Sequence, residues 1–169
     1  MAVSQQFCTF VLKGQLFGVS VEQVQEVLRY HEMTRVPLVP DFVRGLINLR
    51  GQIVTALDLR RRLGMPDRTP AELPMNVVVR TSDGPVSLLV DEIGEVLEIG
   101  EESFEAPPET LQGSARSMVH GVYKLTGRLL LELDLTQALP GEAKSTCSGS
   151  TRMRRKIPAA RRWMSCFAL

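Results

Sequence analysis

Aromatic side chains are scarce in this chain, 5% of 169 residues. Its core therefore rests on Val and Leu, which suits small strand-built cores of branched side chains. Cysteine is scarcer still. Cys8, Cys147 and Cys166 are odd in number and without motif spacing, so they suggest neither a disulfide framework nor a zinc site, and a reducing compartment is the simpler reading. No apolar stretch approaches the length of a membrane span. The opening residues lack the basic flank and apolar core of a secretory signal. There is no Gly-rich phosphate loop, no nucleophile elbow and no HExxH. His31 and His120 stand far apart without ligand spacing. The carboxylate pairs Asp91/Glu92 and Glu101/Glu102 have no context for acid–base work and read as solvated loop or edge charge. The expectation is no catalytic residue, no cofactor and no metal.

What the chain does have is an uneven distribution of charge. Through Glu142 it carries 19 acidic against 13 basic residues; after it come seven basic and no acidic ones. An acidic body argues against nucleic-acid binding, which needs a basic face. Residues 143–169 read as a basic, disordered tail: first linker-like, then with Arg and Lys interleaved with Ile157, Trp163 and Phe167. Any membrane contact would come through that tail, to an anionic surface. Its last four residues formally fit a prenylation box, a match read as chance.

The chain also repeats itself. At an offset of 76, the stretch 45–63 matches 121–139, with identity at Gly45/Gly121, Leu49/Leu125, Gly51/Gly127, Leu57/Leu133, Asp58/Asp134, Leu59/Leu135 and Leu63/Leu139. Each copy reads as a hairpin turning at a glycine, a buried strand, and a short helix capped by the Asp. Upstream, 21–28 matches 90–97 at an offset of 69, and a strand pair precedes each copy. In the first copy the spacing of Val21, Val24, Val27 and Leu28 predicts a helix; the second, with Gly94, reads as more extended. The Pro-rich stretch 64–74 reads as the boundary between halves. Short strands that leave few open edges imply two small β-barrels. The predicted fold is mainly β: two pseudo-symmetric barrel halves packed on a shared core, with short helices.

Several ordered segments resemble the CheW family of chemotaxis coupling proteins. The most specific runs from Phe42 through Gly45, Asn48, Leu49, Arg50, Gly51 and Ile53 to Leu57-Asp58-Leu59, similar to that family's G-x-x-N-L-R-G-x-I segment. Phe7 with Phe10, Phe17 to Val19, Val24 to Val27 and Thr34 to Pro37 add to the likeness, which spans about residues 6–140. Thr55 departs from it, standing where the family usually has Pro. The resemblance implies a CheW-like domain over 1–142, with a first barrel over about 6–64 that shares contributions across the interface and a second over about 75–140. It further implies a non-catalytic adaptor that binds the cytoplasmic hairpin tip of a chemoreceptor and the regulatory domain of a CheA-type histidine kinase. Such an adaptor would sit in the cytoplasm, in receptor arrays at the inner membrane. The same fold could serve surface motility or development, and a membrane-associated regulator acting through the tail is a further alternative.

The residues expected to meet a partner are Val24, Glu26, Gly45, Asn48 and Arg50. Arg50 sits at a turn where its counterpart is Thr126, so the turn does not demand arginine. A contact to a partner is favoured there over an internal ion pair with Glu26, although both can coexist. Asn48 can fix the hairpin or bond a partner. Gly45 recurs in both copies and is first a structural position. Val24 is ordinary core by its spacing, and only the resemblance moves it towards a groove; Glu26 is the polar rim contact.

Overall fold

The computed structural model describes residues 4–139; the basic tail lies outside them. The first half of the chain forms β1 (Ser4–Leu12), β2 (Gln15–Ser20), a 3₁₀ turn, β3 (Val24–Leu28), β4 (Val43–Leu49), β5 (Gln52–Asp58) and α1 (Leu59–Arg62). The second forms β6 (Met75–Thr81), β7 (Gly84–Val90), β8 (Glu92–Gly100), β9 (Phe104–Glu105), α2 (Ser114–Met118), β10 (Val119–Leu125), β11 (Arg128–Leu133) and α3 (Leu135–Ala138). The repeat is realised residue for residue. Asp58 accepts the Arg60 N–H at the start of α1, and Asp134 accepts that of Thr136 at the start of α3. Each carboxylate thus satisfies a donor that its helix leaves unpaired.

Neither sheet is drawn from one half of the chain. The six-stranded sheet runs β8-β1-β2-β11-β10-β9 and the five-stranded sheet β3-β6-β7-β5-β4. The hairpin β1–β2 thus lies beside the second half's β8 and β11, while β6–β7 lies between the first half's β3 and β5. The crossing ladders repeat: β11 pairs parallel with β2, and β5 parallel with β7. Two copies of one element order have exchanged their leading hairpins.

Both sheets curl. In the five-stranded one, β3 and β4 are opposite edges, yet Glu26 on β3 and Arg50 beyond β4 lie 3.0 Å apart. In the six-stranded one, the rings of Phe7 on β1 and Tyr123 on β10 are 5.0 Å apart across two intervening strands. Each curl closes on its own apolar filling: Phe7, Leu16, Ile99, Tyr123 and Leu130 in one, Ile47, Val54 and Val78 in the other. A larger cluster that includes Phe10, Phe17, Leu57, Val77, Leu88 and Leu133 joins them. This is the mainly-β, pseudo-symmetric architecture with a shared core that the repeat implies.

One expectation is corrected. The stretch 21–28 is not a helix: Val21–Gln23 makes a 3₁₀ turn and Val24–Leu28 pairs antiparallel with β6. Val24, Glu26 and Leu28 are half-buried while Gln25 and Val27 are exposed, so the strand alternates, and the apolar spacing that imitates a helical face is spread over both of its sides. Val24 faces Val79 and Glu26 faces Val78, which makes Gln25 the extra residue of a bulge. The second copy carries a matching irregularity against β1 between Val96 and Ile93. There a Cβ on Gly94 would collide with the Thr9 hydroxyl, which donates to the Glu95 carbonyl at 2.5 Å.

Candidate partner-binding face

The β4–β5 hairpin turns through Arg50 and Gly51, both at positive φ (52° and 87°), the signature of a two-residue turn that follows the twist of its strands. Leu49 pairs with Gln52 across it. Arginine is uncommon in this conformation. In the second copy only Gly127 has positive φ, so Thr126 escapes a conformation that a β-branched residue resists. Asn48 Oδ1 accepts the Gly51 N–H at 2.9 Å, so the turn-fixing role of Asn48 is present, and its side chain is exposed.

Arg50 projects from that turn to Glu26, Nη2 to Oε2 at 3.0 Å, with the Arg side chain 84% and the Glu side chain 18% exposed. The internal ion pair therefore exists, and it occupies one edge of the guanidinium while leaving most of the fork in solvent. Among the described residues Glu26 has no other cation within ion-pair distance. A pair this exposed contributes little stability, but it holds a five-donor cation in a fixed place.

Gly45 is buried in β4. The segment before it crosses so closely that a Cβ would run into the Thr34 carbonyl, where Thr34 and Leu46 exchange two backbone hydrogen bonds of 2.8 Å. Gly121 repeats the device: a Cβ there would enter the ring of Phe104. Gly45 thus admits its own chain. Val24 is half-buried and packs against the shared core, so the residues near Arg50 that present apolar surface are Val27 on β3 (40% exposed) and Ile53 on β5 (56%). Solvent exposure of a strand residue depends on which strand lies across from it, and spacing along the sequence did not reveal it.

Sequence reasoning also missed a buried charge cluster. Arg68, in the stretch read as a boundary, donates to Asp58 at 2.8 Å, to Asp91 at 2.7 Å and to the Leu89 carbonyl at 2.9 Å. Arg60 also binds Asp91, Nε to Oδ1 at 2.8 Å, and the Lys13 N–H donates to Asp91 Oδ2 at 2.7 Å. The reading of Asp91 as solvated edge charge is overturned: its side chain is 15% exposed, that of Arg68 7%. Burial pushes the Asp91 carboxyl up, but hydrogen bonds from Arg60 and Lys13 and the charges of Arg68 and Arg60 outweigh it and hold it below the ordinary carboxylate range. The cluster holds the start of α1, the 64–74 stretch, the β7–β8 corner and the β1–β2 turn together.

Among the described residues no group of His, Cys, Asp and Glu could hold a metal ion, and no helix is long and apolar enough to cross a membrane.

Comparison with known proteins places these features. A family model described as the CheW-like domain matches residues 6–142. The chain is 31% identical over 140 residues to the chemotaxis protein CheW of Klebsiella aerogenes, covering 83% of this chain and 84% of that protein. It is 29% identical over 142 residues to the chemotaxis protein CheW of Bacillus subtilis, covering 84% and 91%. Among solved structures, the scaffolding protein TtCheW of Thermoanaerobacter tengcongensis superposes with a TM-score of 0.76 at 28% identity, over 84% of this chain and 97% of that one.

Proposed function

Because this chain belongs to the CheW-like domain family, we propose that it is a non-catalytic chemotaxis adaptor, coupling chemoreceptors to a CheA-type histidine kinase. It works by holding receptor and kinase in one assembly, so that a change in the receptor shifts the population of kinase arrangements. The relatives named above are chemotaxis proteins, which favours this pathway over surface motility or development.

The receptor's cytoplasmic hairpin tip is assigned to the face built by β3 and the β4–β5 turn. The observation that carries it is the Arg50 guanidinium, anchored by Glu26 yet mostly exposed, beside the apolar surface of Val27 and Ile53. A receptor helix would lay an apolar stripe there and meet the cation at its rim. Glu26 orients Arg50, Asn48 and Gly51 set the turn that projects it, and Gly45 and Val24 support the strands beneath. The kinase regulatory domain is assigned to the other curled sheet. The protein acts in the cytoplasm, within receptor arrays at the inner membrane.

The test is capture of a chemoreceptor cytoplasmic fragment and of the kinase regulatory domain by the purified full chain. Arg50→Gly suits it better than Arg50→Ala, because glycine adopts the positive φ freely. We expect Arg50→Gly to melt within about 1 kcal/mol of the parent and to weaken receptor capture about fivefold or more, a hot-spot-sized loss. Unchanged receptor binding by that folded variant would remove Arg50 from the interface.

A further inference from the structure

Between Arg80 and Arg116 the chain has no Lys or Arg, yet nine of its 19 acidic residues fall there. Asp91 is matched by Arg60 and Arg68 and Glu105 by Lys124. Glu92, Glu95 and Glu98 lie exposed along β8; among the described residues no cation stands within ion-pair distance of them. Among the described residues Glu98 accepts the Ser4 hydroxyl, at 2.5 Å.

β8 is also an edge. It is hydrogen-bonded to β1 on one side, and among the described residues no strand pairs with the other, so that side has backbone donors and acceptors not taken up by a ladder. Val96 in its middle is 59% exposed. An open edge of this kind accepts an extended segment as an added strand. Its charge decides which segment. A second copy pairing edge to edge would set Glu92, Glu95 and Glu98 against themselves, and like charges directly opposite are destabilising. A cationic segment meets the opposite balance, and the chain carries one: Arg152, Arg154, Arg155, Lys156, Arg161 and Arg162, interleaved with Met153 and Ile157 and with no acidic residue among them.

The reach is sufficient. Twelve residues lie between Leu139, the last described residue, and Arg152, and the resulting thirteen Cα steps span about 45 Å when extended. β8 lies three strands from β11 in the same sheet, about 14 Å. The other edges are less suited: β3 carries Glu26, already paired with Arg50; β4 carries Arg44; and β9 is two residues long, with Glu105 paired to Lys124.

We infer that the acidic outer edge of β8 is a docking site for the chain's own basic segment, residues 152–162, held by backbone pairing and by its cations against Glu92, Glu95 and Glu98. Such a segment covers an otherwise open strand and competes with any external partner for that edge. The association is electrostatic at its rim and weakens as salt rises.

The test uses the full-length chain with Cys147→Ser and a nitroxide attached at Cys166; Cys8 is buried, and burial pushes its thiol up, so it escapes labelling. Amide NMR signals of 92–100 are expected to lose intensity selectively at about 50 mM salt and to recover at about 0.5 M, where charges are screened within about 4 Å. They should also recover in Glu92→Gln/Glu95→Gln/Glu98→Gln at low salt. If that triple variant does not fold, the salt series on the labelled chain decides. Intensity loss absent from β8, or centred on another surface, overturns the proposal. So does equal loss when labelled chains are mixed with isotope-enriched unlabelled ones, which would make the occupant a second copy's tail. A label that leaves β8 unaffected and is immobilised only on phosphatidylglycerol vesicles would assign the basic segment to a membrane instead.

Discussion

Gly45 and Glu132 are two positions where a single side chain decides much. A methyl group at Gly45 would meet backbone, the Thr34 carbonyl, which cannot swing away as a side-chain end can. Gly45→Ala is expected to lower stability by about 2 kcal/mol, the cost of overpacking a closed site, and to expose the amides of Thr34 and Leu46 to hydrogen exchange. Glu132 occupies the place that Ala56 holds in the first copy. One of its carboxyl oxygens is buried without a hydrogen-bond partner. Burial raises its pKa, against the opposing charge of His120 and the hydrogen bond from Tyr123; the Tyr123 phenol is itself pushed up to about 12, chiefly by burial. A carboxyl whose folded pKa is raised contributes its stability below the unfolded value of about 4.3, and that contribution is lost as pH rises through the folded value. Glu132→Gln should therefore melt higher than the parent at pH 7 to 8, the gap closing on acidification. A gap that is constant with pH would remove ionisation as its cause.

The stretch 64–74 shows how a segment with linker composition becomes structural. Its Pro and polar residues form no helix or strand, yet Arg68 enters the space between Asp58 and Asp91. Removing one member of a buried charge cluster leaves the others unsatisfied, so Arg68→Ala is expected to cost about 3 kcal/mol in chemical denaturation. The Asp91 pKa is depressed in the fold. Its contribution is therefore complete above the unfolded value of about 3.9 and is lost as pH falls through the folded value. Asp91→Asn should accordingly be much less stable than the parent at pH 7, with the difference narrowing below pH 4. Parallel stability curves over that range would mean that Asp91 acts through packing alone. The short helices follow the same logic: Arg62 at the end of α1 donates to the Ala138 and Gln137 carbonyls at the end of α3, so the two repeats close on one another.

For the molecule as a unit, the exchange of leading hairpins has a thermodynamic consequence. Each sheet needs strands from both halves, and the shared core draws on both, so unfolding should be one cooperative transition. Fragments 1–70 and 71–142 are expected to lack a cooperative melt when separate and to regain strand signal in circular dichroism when mixed. A fragment that melts cooperatively on its own would mean that one half can close its barrel without the hairpin from the other.

Much of this was legible in the sequence because it is local. The repeat at offset 76 fixed the hairpins, the glycine turns and the two Asp caps, since each depends on neighbours a few residues away. Mainly-β character followed from branched side chains and the shortness of the apolar runs, and the resemblance to CheW followed from ordered motifs. Asn48 at its turn was within reach for the same reason, whereas the ion pair of Arg50 with Glu26, 24 residues apart, needed the curl of the sheet to form. The helix expected over 21–28 failed because this stretch pairs with β6, about fifty residues on, which turns Glu26 inward and leaves Val27 outside. The burial of Asp91 and Arg68, and the exposure of Val27, Ile53 and Val96, likewise depend on which strand or loop lies opposite. Pairing between distant segments has no local signature: it is selected by the joint burial of both surfaces, and that exists only once the two halves have exchanged strands.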